Sequence, residues 1–126
     1  MTQSSISKNI LIIDDDPKII DKISNHLKSA GYHTHGITNG EDAIEYAKKH
    51  KPYAITLDIL MPEIDGWEVL QKLKKDIVTA DIPVIVISVS DEKDTGIALG
   101  AIGHITKPIE KEELLNLINS TSKITD

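Results

Sequence analysis

The sequence predicts an open, doubly wound α/β domain with a five-stranded parallel sheet and five helices, and three observations predict it. Residues 10–13, 54–57 and 84–87 are almost wholly apolar and rich in β-branched side chains, as parallel strands covered on both faces must be. Amphipathic helical patterns separate them. Strand and helix alternate five times with no repeat or low-complexity insert, and right-handed crossovers then place helices on both faces of one sheet. At 126 residues the chain is expected to be a single domain with one packed core.

The first strand, residues 10–13, ends on Asp14-Asp15-Asp16 and Pro17. Asp16 precedes a proline suited to the first helical position, so it reads as a helix N-cap. In the helix that follows, Ile19, Ile20, Ile23, Leu27 and Ala30 share one face. Residues 32–37 carry polar side chains and suit a sheet edge. Ala43, Ile44 and Ala47 mark the second helix, and Val69, Leu70 and Leu73 the third. The helix over 91–99 is the poorest, because Gly96 lies inside it and Gly100 follows, each costing roughly 1 kcal/mol against Ala. It is expected to be mobile. Residues 104–106 form the other edge, and Leu114, Leu115 and Ile118 mark the last helix. The core is expected over about residues 8–119, with polar tails at 1–8 and 121–126.

Composition excludes several classes of function. There is no cysteine, hence neither a disulfide framework nor a thiolate metal site. The polar N-terminus has no apolar signal core, and no apolar run approaches the roughly 18 residues that span a bilayer. A cytoplasmic protein without membrane contact is the expectation. The net charge is −6, and all fourteen basic residues are lysines. Direct nucleic-acid contact is therefore not expected, since phosphate repels the chain and the guanidinium fork that reads guanine is missing.

Ligands in such sheets bind outside the carboxyl ends of the strands. After the first strand come Asp14 and Asp15, after the third Asp58, after the fourth Ser88, and after the fifth Lys107-Pro108. Asp14 and Asp15 alone could equally supply negative charge to a helix N-terminus. Asp58 changes the balance, because the topology brings it beside the first strand's end, where three carboxylates repel one another unless a cation binds. Oxygen-only ligands suit a hard ion, and Mg²⁺ in particular. With Mg²⁺ and the Lys107 ammonium the cluster sums to zero charge and can accept a phosphoryl group.

The segments IIDDD, LDILMPEIDGWEVL, PVIVIS and TKPI, in this order and at these intervals, closely resemble the receiver domain of two-component response regulators. The resemblance covers about residues 8–119. It implies a flavodoxin-like receiver fold with strand order 2-1-3-4-5. It also implies that Asp58 is the phosphorylated residue, and that Asp14, Asp15, Asp58 and the backbone carbonyl of Leu60 hold Mg²⁺. Ser88 and Lys107 would contact the phosphoryl oxygens, and Lys107-Pro108 would be a cis peptide. A sensor histidine kinase or histidine phosphotransfer protein is the implied donor, with an effector or covalently attached output domain downstream. The domain would be a monomer or a weak phosphorylation-dependent dimer, modifying itself rather than turning over a substrate. The segment DEKDTGIALGA is similar to receivers of hybrid histidine kinases.

Two positions depart from the family pattern. His104 stands where Tyr or Phe is usual, at the ring that couples the Ser88 hydroxyl to the surface of the fourth helix, fifth strand and fifth helix. The smaller, polar imidazole implies a weaker or pH-dependent switch; an exposed edge-strand histidine is the alternative. Val89 follows Ser88 where a small residue is common, which implies slow labelling by small phosphodonors. Met61-Pro62 and Asp65-Gly66 read as a turn whose glycine needs positive φ, and Leu60 and Ser90 flank the approach of hydrolytic water. His33 and His35 share one strand face without a third ligand and read as an exposed edge. His50, Lys48, Lys49 and Lys51 read as a solvated helix end. Two other functions fit part of the pattern. A haloacid-dehalogenase-like phosphatase would use Asp14 as nucleophile, and a receiver-like binding module would work without phosphorylation.

Overall fold

The structure, a computed structural model, describes residues 8–61, 65–89 and 92–125. Five strands alternate with five helices: β1 (Asn9–Ile13), α1 (Pro17–Lys28), β2 (His33–Ile37), α2 (Gly40–His50), β3 (Ala54–Asp58), α3 (Gly66–Lys75), β4 (Val84–Ser88), α4 (Lys93–Ala98), β5 (Gly103–Thr106) and α5 (Lys111–Thr125). The sheet is parallel in the order β2-β1-β3-β4-β5. Its three central strands are the three apolar runs, and the polar segments lie at the edges.

Alternation along each central strand divides the core into two layers. Leu11, Ile13, Ile55, Leu57, Val84 and Val86 face α2 and α3, where Ala43, Ala47, Val69, Leu70 and Leu73 are buried against them. Ile10, Ile12, Ala54, Ile85 and Ile87 face α1 and α5, against Ile23, Leu27, Leu114 and Ile118. A strand covered on both sides has no polar face to show, which is why these runs do not alternate in hydropathy.

The helices start where the sequence provides caps. Asp16 accepts a hydrogen bond from the Lys18 N–H ahead of Pro17, Asn39 from the Asp42 N–H, and Asp65 from the Trp67 N–H. α4 is six residues long and its N-cap, Glu92, makes no side-chain cap bond, in keeping with Gly96 inside it and Gly100 just beyond. α5 differs from expectation at its end. It continues through Thr125, past residue 120, where a polar tail seemed to begin.

Gly66 also differs. The backbone positions with positive φ are Gly31, Gly100 and Lys51 among the described residues, and Gly66 is not one of them. Its glycine is required by a close approach instead: a Cβ there would lie 2.4 Å from Ile59 Cα and 2.6 Å from the Asp58 carbonyl. α3 thereby starts flush against the end of β3. Pro62, Ser90 and Asp91 lie outside the described residues.

Candidate functional site

The parallel register sets the site. Ile13 pairs with Leu57 and Asp58 with Ile87, so Asp14 and Asp58 leave adjacent strands at the same level and on the same side of the sheet. Asp14 is 1% exposed and Asp58 4%, whereas Asp15 is exposed. One carboxylate oxygen from each of the three lies within 4.8 Å of the others. This is the only such cluster of His, Cys, Asp or Glu among the described residues.

Each buried carboxylate is oriented by backbone and by one lysine. Asp14 Oδ1 accepts the Asp16 N–H at 2.9 Å, and Asp58 Oδ1 accepts the Leu60 N–H at 3.3 Å. Lys107 Nζ lies 3.2 Å from Asp14 Oδ2 and 3.7 Å from Asp58 Oδ1. Lys107 is itself placed by its N–H, which donates to the Ser88 carbonyl at 2.8 Å, and the Lys107-Pro108 peptide that follows is cis. Ser88 is fully buried at the end of β4. The loop after β3 leaves Leu60 57% exposed, and Val89 beyond β4 is 62% exposed.

Electrostatics in the pocket remain unbalanced. Burial, reinforced by the neighbouring Asp14 charge, pushes the Asp58 carboxyl from 3.8 up to about 6, and Lys107 and the Leu60 N–H only partly oppose it. Burial also raises Asp14 above the ordinary carboxylate range, against the Asp16 N–H and Lys107. One ammonium shared by three carboxylates leaves net negative charge in a poorly hydrated place. A divalent ion held by hard oxygen donors fits that deficit, and the donor set has the composition that suits Mg²⁺.

The sequence brought Asp14, Asp15, Asp58, Ser88 and Lys107 forward, and the structure gathers them at one edge of the sheet. His104 stands apart on β5, opposite Val86. It is half-buried, with Nδ1 shielded from solvent, so it is not an exposed edge residue. With Ile97, Gly103, Glu113 and Leu117 it lines a groove of about 300 Å³ between α4 and α5. Spacing alone did not reveal two features. The Leu60 N–H donates to Asp58 Oδ1. His35 and His50 stack on Tyr46, with ring centroids 4.3 Å away in each case. Their separation by fifteen residues hides that contact, although the order of β2 and α2 makes it possible.

Fold and pocket together define a doubly wound signalling domain with an acidic site at the carboxyl edge of its sheet. The chain belongs to the response regulator receiver domain family, whose model matches residues 10–119, and is thus a component of two-component signalling. It is 36% identical over 114 residues to Protein PilH of Pseudomonas aeruginosa, covering 88% of this chain and 94% of that protein. It is 38% identical over 120 residues to the DNA-binding dual master transcriptional regulator RpaA of Synechocystis, covering 93% of this chain but spanning only 50% of that relative's length. The receiver domain of Francisella response regulator 1452 superposes with a TM-score of 0.87 at 29% identity, covering 95% of this chain and 100% of that one. Vibrio cholerae chemotaxis protein CheY4 gives a TM-score of 0.84 at 25% identity, over 91% and 98% of the two chains. No helix among the described residues is long and apolar enough to cross a membrane.

Proposed function

We propose that this receiver domain accepts a phosphoryl group on Asp58 from a phosphohistidine of a sensor histidine kinase or histidine phosphotransfer protein. One observation carries the reading: Asp58 is buried at the end of a central strand, within ligand distance of Asp14 and Asp15 and faced by Lys107. A carboxylate is a weak nucleophile toward an anionic phosphorus, so it must be aimed and the charge around it offset. The Leu60 N–H fixes the orientation of Asp58. A Mg²⁺ ion held by Asp14, Asp15, Asp58 and the Leu60 carbonyl would supply the remaining positive charge.

In the transfer, an oxygen of Asp58 forms the new P–O bond while the P–N bond to the donor imidazole breaks, its electron pair returning to the ring nitrogen. Lys107 supplies a positive charge to the phosphoryl oxygens from its position between Asp14 and Asp58. The Ser88 hydroxyl donates a hydrogen bond to one of those oxygens, and its movement is passed to His104 and the surface of α4, β5 and α5. The product is an acyl phosphate on the domain itself, formed once per signalling event and later hydrolysed. The domain works in the cytoplasm and acts on an effector or an attached output domain.

Transfer from a phosphohistidine-bearing phosphotransfer protein tests this reading. Label is expected on Asp58 in wild type and absent from Asp58→Asn. Label that persists in Asp58→Asn, or that maps to Asp14, overturns it.

A further inference from the structure

At the end of the sheet opposite the acidic pocket, the turn between α3 and β4 holds Ile77 93% exposed and Val78 42% exposed. Isolated surface aliphatics are ordinary, but this one is displayed by a turn fixed from several sides. Asp76 Oδ1 accepts the Val78 N–H at 2.8 Å, and the Thr79 and Ala80 N–H groups donate to the Asp76 carbonyl. The buried Thr79 hydroxyl donates to the Leu73 carbonyl at 2.6 Å. Lys74 Nζ donates to the carbonyls of Ala80 and Ile82 at 3.1 and 2.7 Å. Lys48 of α2 reaches Asp76 at 3.0 Å. Such a turn cannot fold its isoleucine back onto the core.

Beside it runs a groove of about 340 Å³ between α2 and α3, lined by Ile44, Lys48, Lys72, Lys75 and Asp76. Six of the fourteen lysines of a chain with net charge −6 lie in the last turns of α2 and α3 or at the Lys51 cap. The C-terminal dipoles of two helices explain lysines there. They do not explain an isoleucine presented to water on the turn that follows α3. Lys48 and Lys72 pair with Asp76 and Glu68 at 3.0 and 3.3 Å, but such solvent-facing pairs are weak and exchangeable, and Lys75 adds to the excess of lysine over carboxylate along the groove. A preorganised aliphatic anchor next to a groove with that excess has the character of a binding surface.

We propose that this end of the domain is a docking surface for an amphipathic acidic helix of a partner protein. The helix lies along the α2–α3 groove, its aliphatic side chains on Ile77, Val78 and Ile44 and its glutamates toward Lys48, Lys72 and Lys75. The surface is separated from Asp58 by the length of the strands, about 16 Å for five residues, and it engages with or without phosphorylation. It does not depend on the phosphoacceptor reading.

The probe is a synthetic Glu- and Leu-containing amphipathic helical peptide, titrated into the full chain and followed by amide chemical shifts. Saturable shifts confined to residues 44–51 and 72–80 are expected, with the same affinity in the presence of beryllofluoride and Mg²⁺. Ile77→Asp and the double change Lys72→Glu with Lys75→Glu each weaken binding at least about tenfold, whereas Lys22→Glu on α1 leaves it unchanged. Ile77 is exposed enough that its replacement leaves the fold intact. No shifts, shifts centred elsewhere, or equal binding by Ile77→Asp would overturn the proposal. So would equal binding of an all-glutamate peptide or preferential binding to vesicles of anionic lipid, since either makes the surface a general polyanion patch.

Discussion

Asp58 gives up most of its hydration on folding, and the partners it gains, Lys107 at 3.7 Å and the Leu60 N–H at 3.3 Å, do not restore it. An acid whose folded pKa lies above its unfolded value contributes stability at low pH that is lost as pH rises through the folded value. Asp58 moves from 3.8 to about 6. In the metal-free protein it therefore costs up to about 3 kcal/mol as pH rises from about 4 to 7, and Asp14 acts in the same direction. Asp58→Asn is expected to remove the Asp58 part of this slope and to be the more stable protein at neutral pH. Urea denaturation of both in EDTA, at several pH values, measures it; a difference that shrinks as pH rises contradicts the sign. Mg²⁺ is expected to recover the lost stability in wild type alone. Val89, which follows Ser88 and is 62% exposed, is expected to slow small phosphodonors. Val89→Ala should label several-fold faster with acetyl phosphate, and an unchanged rate would show that the entrance is not limiting.

Among the elements, two glycines in helices have opposite meanings. Gly66 is pressed against the end of β3, so the Cβ of Gly66→Ala meets backbone at 2.4 Å and must displace α3 or the loop that aims Asp58. A loss of about 1–3 kcal/mol is expected, together with weaker Mg²⁺ binding. Gly96 has room, its nearest neighbours being Val86 and Trp67 at 3.4 and 3.5 Å. Gly96→Ala should therefore stabilise the protein by about 0.5–1 kcal/mol, and thermal unfolding of the pair distinguishes the two cases. The elements themselves were largely legible in the sequence, because the central strands are continuous apolar runs and Asp16-Pro17 marks a helix start. The reason for Gly66 was not legible. A glycine demanded by positive φ and one demanded by a neighbouring backbone look alike in a sequence, and only the packing of α3 on β3 separates them. The extra turn of α5 was likewise hidden, since Thr121 and Ser122 read as a polar tail in the sequence.

Over the whole molecule, charge follows the topology. The strands carry Asp14, Asp58, Ser88 and Lys107 to one edge of the sheet, and the helix ends carry lysines to the other. Asp14, Asp15, Asp58 and Lys107 could be read from sequence because each follows a strand directly, and the crossover rule then makes them neighbours. The half-burial of His104 could not, since its depth depends on how α4 and α5 close over β5. If the proposed coupling of Ser88 to His104 holds, the groove between α4 and α5 responds to the state of the pocket. Beryllofluoride-induced shifts on this face are expected to be smaller in wild type than in His104→Phe, since an imidazole fills less of the groove than a phenyl ring; equal shifts in the two would remove His104 from the switch. The most direct test of the acidic pocket is labelling by acetyl phosphate with and without Mg²⁺, followed by mapping of the modified carboxylate. Modification at Asp58 that requires the divalent ion is expected, whereas modification at Asp14, or labelling that proceeds equally in EDTA, would contradict the phosphoacceptor site.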